Sequence, residues 1–106
     1  MNQRDAIRLC KQIEDVAPEF GLHVALTGGC LYKDGERKDV DIILYRIRQV
    51  NLPDYQGLYY KLSELNICSL LEGYGWVTKA ITPDGINIDF FDIEYDDANT
   101  LYGNED

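Results

Sequence analysis

Residues 22–46 read LHVALTGGCLYKDGERKDVDIILYR, and this stretch decides the fold. Leu22–Thr27 is short, apolar and β-branched at its centre, which predicts a buried strand. Gly28-Gly29 then marks a tight turn, since glycine enters backbone conformations closed to other residues. Cys30 to Lys33 is expected to make one helical turn and 33–38 (KDGERK) a charged loop. Asp39–Arg46 is the second strand. Its alternation sets Val40, Ile42 and Leu44 on one face and Asp39, Asp41 and Ile43 on the other.

Working outward, Ile7, Cys10, Ile13, Val16 and Ala17 recur at helical spacing, so a first helix is expected from Arg4 to about Phe20, with Asp5 helping to cap it. Downstream of Pro53, residues 54–73 read as a long helix carrying Tyr55, Leu58, Tyr59, Leu62, Leu65, Ser69 and Leu70. Gly57 weakens that helix slightly. Trp76–Thr82 and Ile86–Ile93 are β-prone runs flanking the turn Pro83-Asp84-Gly85. In the second run Ile86, Ile88 and Phe90 share one face, and Asn87, Asp89 and Phe91 the other. These elements predict a small α/β (α+β) domain, with a mixed sheet and helices packed on one face, over residues 1–93. Residues 94–106 form an acidic tail.

Two aspartates at i and i+2 on a strand point the same way, with backbones roughly 6–7 Å apart. Such a pair is costly unless something neutralises it, and a hard divalent cation does so well through carboxylate oxygens. Asp89, on a neighbouring strand, would supply a third carboxylate. A Gly-Gly turn before the pair lets backbone approach a ligand closely.

The pieces Leu26-Thr27-Gly28-Gly29, then Asp39-Val40-Asp41-Ile42, then Ile88-Asp89-Phe90, resemble the nucleotidyltransferase superfamily. That group includes polymerase-beta-like enzymes, CCA-adding enzymes and small minimal nucleotidyltransferases. The resemblance runs from about residue 4 to 93. It implies that Asp39, Asp41 and Asp89 bind Mg2+ (or Mn2+) and act as the catalytic set, and that Gly28 and Gly29 lie against the phosphates of a nucleoside triphosphate. Arg37 and Lys38, just before Asp39, would replace a basic phosphate contact found in many members. The implied reaction moves a nucleotide onto a protein or small-molecule acceptor. This sequence departs from the family in having Thr27 before the glycines and Gly29-Cys30 after the first of them. It also ends soon after the third acidic strand, where many members continue into a helical region that grips base and acceptor.

Composition narrows the partners. With 19 acidic and 10 basic residues the chain carries a formal charge of −9. That charge repels phosphate backbones and anionic lipids, so free nucleic acid and membrane surfaces are poor partners. A metal-bound nucleotide or a protein partner, as a homo- or hetero-oligomer, suits it better. Cys10, Cys30 and Cys68 are scattered and odd in number, which argues against a disulfide framework and for a reducing compartment. The polar start and the lack of a long apolar run lead to the expectation of a soluble, cytoplasmic protein.

Other residues read as structural. Cys10 and Cys68 are expected on apolar helix faces, Trp76 in the sheet core, and Tyr55, Tyr59, Tyr60 and Tyr74 in core and rim. His23 has no partner in sequence, and Cys30 lacks the electropositive neighbour that a reactive thiol needs. Two alternatives stand beside the transferase. One is a catalytically inactive binding module of the same fold, antitoxin-like or regulatory. The other is a small acidic inhibitor whose binding would be salt-sensitive.

Overall fold

A computed structural model of the chain describes residues 1–28, 39–73 and 76–93. Helix α1 spans Gln3–Glu14, a 3-10 turn covers Ala17–Phe20, and strands β1 (Leu22–Thr27) and β2 (Asp39–Arg46) follow. Helix α2 (Tyr55–Glu64) leads into strands β3 (Ser69–Gly73), β4 (Val77–Ile81) and β5 (Asn87–Asp92). The five strands form one mixed sheet in the order β1-β2-β5-β4-β3. Only β2 and β5 are parallel; every other pair is antiparallel.

One hydrophobic core joins both helices to a single sheet face. Ala6, Leu9 and Ile13 from α1 and Leu58 and Leu62 from α2 are buried with Leu22, Val24, Val40, Ile42, Leu44, Ala80, Ile88 and Phe90. The alternation in β2 and β5 therefore sends Val40, Ile42, Leu44, Ile88 and Phe90 to the helices. Asp41, Ile43, Asp89 and Phe91 are left on the far face. Each fully buried Leu, Ile or Phe contributes about 1.5–3 kcal/mol, so this one-sided core fixes the register that sets the polar face.

Local chemistry explains the element ends. Asn2, not Asp5, caps α1: its Oδ1 accepts from the Asp5 amide at 2.8 Å. The β4–β5 hairpin closes through two backbone hydrogen bonds, the Thr82 amide donating to the Ile86 carbonyl and the Gly85 amide to the Thr82 carbonyl, with Gly85 in the left-handed region at φ 86°. Thr82 Oγ1 also accepts from the Ile86 amide at 3.0 Å.

Several expectations are corrected. The first helix stops at Glu14, and its inward face runs through Ala6, Leu9 and Ile13; Ile7 is 41% exposed. The helix expected over 54–73 ends at Glu64, and residues 69–73 form β3 instead. The stop is a Schellman motif. Asn66 takes φ 60°, the Ile67 amide donates to the Leu62 carbonyl, and the Asn66 amide donates to the Ser63 carbonyl. Cys68 is buried, but between helix and strand rather than on a helix face. Trp76 is 56% exposed and stacks on Phe91 (ring centroids 5.7 Å apart) instead of entering the core.

Candidate functional site

The register of the sheet builds the site. Thr27 on β1 faces Asp41 on β2, and Asp41 faces Asp89 on β5. Asp89 faces Lys79 on β4, which in turn faces Glu72 on β3. One polar row thus crosses all five strands on the face turned away from the helices. Directly paired residues on parallel strands have backbones about 4.8 Å apart, so Asp41 and Asp89 are neighbours by construction. Asp39 lies two residues from Asp41 on the same face and pairs with Asn87. The adjacent row, Ala25-Ile43-Phe91-Val77, is apolar.

Three features give the row its electrostatics. Lys79 Nζ stands 3.1 Å from Asp89 Oδ1, with the two side chains 43% and 24% exposed. Burial pushes the Asp41 carboxyl above its ordinary range, the charges of Asp89 and then Asp39 push it the same way, and Lys79 pulls it down. Gly28, at φ +75°, presses its backbone on Asp41: a Cβ there would collide with the carboxylate, lying 3.0 Å from Asp41 Cγ.

The structure therefore brings Asp39, Asp41, Asp89 and Gly28 together. Gly29, Arg37 and Lys38 lie outside the described residues, as do Cys30, Tyr74 and the acidic tail. Among the described residues, no group of three or more His, Cys, Asp or Glu side chains is arranged to hold a metal ion. Mg2+, however, is commonly held by one or two carboxylates and completed by water and substrate phosphate. The hard oxygen donors of Asp41 and Asp89, and the space kept free of a Cβ at Gly28, fit that mode.

Lys79 is the site residue that sequence reasoning missed. Its signal was present: counting back from the three-residue hairpin loop 83–85 places Lys79 opposite Asp89. Thr27 and Glu72 enter the row by register alone.

His23 belongs elsewhere. Glu14 Oε2 lies 2.6 Å from His23 Nδ1, and Glu14 Oε1 accepts from the Val24 amide at 2.8 Å. The imidazole also sits beside Tyr45, with centroids 5.5 Å apart. Its partner is thus an acid at the end of α1 that ties the helix to β1, a structural role. No described helix is long and apolar enough to cross a membrane. No protein-family model matches the chain, and no curated protein matches it.

Proposed function

We propose that this chain is a metal-dependent nucleotidyltransferase-fold protein that moves a nucleotide from a nucleoside triphosphate to a hydroxyl on a protein or small-molecule acceptor, in the cytoplasm. The observation that carries the reading is the side-by-side placement of Asp41 and Asp89 on parallel strands, with the Gly28 backbone against Asp41. A carboxylate such as Asp41, whose proton affinity is raised by burial and by the neighbouring charges of Asp89 and Asp39, is costly to keep without a ligand that relieves it.

In this reading Asp39, Asp41 and Asp89 hold the metal. A bound Mg2+ would supply charge neutralisation to the triphosphate and to the oxygens that enter and leave at the α-phosphorus. In the same reading Asp89 accepts the proton of the acceptor hydroxyl. The hydroxyl oxygen bonds to the α-phosphorus, the bond to the β-phosphate bridging oxygen breaks, and pyrophosphate leaves. Gly28 lets backbone amide approach the phosphates where a side chain would stand in the way.

Thermal melting with each nucleoside triphosphate, with and without Mg2+ or Mn2+, tests the reading. Ligand at 100 times its dissociation constant adds about 2.7 kcal/mol of stability. A metal-dependent shift that disappears in Asp39→Asn/Asp41→Asn supports the site; no shift with any nucleotide and metal removes it. Trp76, the single tryptophan, stacks on Phe91 two residues from Asp89 and gives a fluorescence readout of the same event.

The Lys79–Asp89 ion pair favours a second reading, a binding module of this fold without chemistry. An ammonium on Asp89 occupies an oxygen the transferase would use. Nucleotide binding without pyrophosphate release in the presence of candidate acceptors selects this reading.

A further inference from the structure

The two edges of the sheet differ in how they are covered. On β1 the outward amides are capped from α1: Glu14 Oε1 accepts from the Val24 amide at 2.8 Å, and the Cys10 sulfur meets the Leu26 amide two residues on. A strand capped in this way offers little to another chain. β3, at the other edge, pairs with β4 on one side, and no described strand pairs with its outer side. All five of its residues, Ser69–Gly73, are exposed, and none is a lysine or proline that would guard the edge. A bulge between Leu70 and Glu72 leaves Leu71 with no partner on β4, and its side chain is 57% exposed. Beside the strand runs a groove of about 580 Å3 between β3 and α2, lined by Tyr59, Tyr60, Ser63, Leu70 and Thr78 among others. Tyr60 is 71% exposed.

Charge says what fits this edge. Residues 55–73, which make up α2, the turn after it and β3, hold three charged side chains: Lys61, Glu64 and Glu72. Lys61 and Glu64 neutralise one another at 3.1 Å. Most of the −9 charge therefore lies elsewhere in the chain. Two copies meeting on another face would press acids together, whereas here most of the contact is uncharged. A basic segment of another protein would be drawn to those acids instead of to this edge. The surface also offers both halves of a fit, a groove and the projecting Leu71 and Tyr60, as a two-fold contact requires. We propose that the outer edge of β3, with the groove beside α2, binds a second copy of this chain. The two β3 strands run antiparallel about a two-fold axis, the two sheets join into one, and Leu71 and Tyr60 of each copy meet the groove of the other. The bulge keeps the shared ladder short, so these side chains carry much of the contact.

Sedimentation equilibrium of the full chain over a range of concentrations, without metal or nucleotide, tests this. The wild type is expected to move from monomer to dimer mass as concentration rises, and added salt should strengthen the dimer by screening the −9 charge on each copy. Leu71→Lys should weaken the dimer at least about tenfold. Leu52→Lys adds the same charge at a side chain 89% exposed on the connection between β2 and α2, and should match the wild type. Both positions are exposed, so these variants should fold, and circular dichroism of each checks it. Hydrogen exchange of the wild-type 69–73 amides should also slow between dilute and concentrated samples, a reading that needs no variant. A monomer at every concentration, a dimer unmoved by Leu71→Lys, or a dimer that salt dissolves overturns the proposal. So does protection that rises on another strand while 69–73 stays unchanged. Equal loss of the dimer in both lysine variants overturns it as well, since added charge and not the β3 edge would then be the cause.

Discussion

Gly28 and Asp41 are in such close contact that no other residue type fits at position 28 without moving the carboxylate. Gly28→Ala meets two penalties: an L-residue at φ +75° costs about 1 kcal/mol or more, and the new methyl must push Asp41 aside. Urea unfolding should show a loss of about 1–3 kcal/mol. The same substitution in an Asp41→Ala background should cost at least about 0.5 kcal/mol less, since neighbours in contact are not additive. Equal costs in both backgrounds would mean that the backbone conformation alone is at stake.

Asp41 should be a stability liability in the metal-free protein. Its folded-state pKa is raised by burial and by Asp89 and Asp39. The folded state therefore binds the Asp41 proton more tightly than the unfolded state, where the carboxyl titrates near 3.9. Stability from this group is present at low pH and is lost as pH rises above that unfolded value through the raised folded one. Asp41→Asn should accordingly melt above wild type at pH 7, and the two should converge near pH 3. A lower melting temperature for Asp41→Asn at pH 7 would contradict the electrostatic account. Residues kept at a cost to stability are a common mark of functional sites.

Cys68 gives a base-labile element. Burial pushes its thiol up to about 11, against a usual value near 8.5. The folded state again holds the proton more tightly, so stability falls as pH rises from about 9 to 11, by up to about 3 kcal/mol. Chemical unfolding at pH 8 and pH 10.5 should show a smaller pH-dependent loss for Cys68→Ala than for wild type. Tyr59, raised to about 12 by burial, adds its own loss in the same direction and remains in both proteins.

The parts legible in the sequence were those where a strong local signal agrees with the core. β1 and β2 have the bounds that their apolar alternation predicts, and Pro83-Asp84-Gly85 closes the hairpin it announces. The far-face grouping of Asp39, Asp41 and Asp89 follows from that alternation once β2 and β5 are known to be neighbours. That parallel pairing is a long-range fact that no local pattern encodes. β3 was illegible for a related reason. Leu70 lies on an edge strand whose residues are all exposed, so no alternation of burial marks it, and its helical spacing with Leu58, Leu62 and Leu65 extends the helical pattern past the true end. Ile7 misled because a run of apolar residues can sit beside the buried stripe: the buried face follows Ala6, Leu9 and Ile13, one position away. Trp76 misled through size, its ring resting on Phe91 at the end of β4 instead of under the helices.

Asn66 is therefore the residue on which the α2–β3 boundary turns. It holds φ 60°, and its amide and that of Ile67 satisfy the Ser63 and Leu62 carbonyls at the helix end. Asparagine tolerates this region better than most residues, but glycine tolerates it best. Asn66→Gly should equal or exceed wild-type stability, because relief at φ 60° offsets the greater freedom that glycine has when unfolded. Asn66→Ala should lose about 1 kcal/mol, since its Cβ meets the left-handed penalty without a polar side chain to compensate. The pair of urea midpoints decides the matter. Matching midpoints for Ala and Gly would show that the left-handed stop carries no energy, and that β3 is held by its pairing with β4 alone.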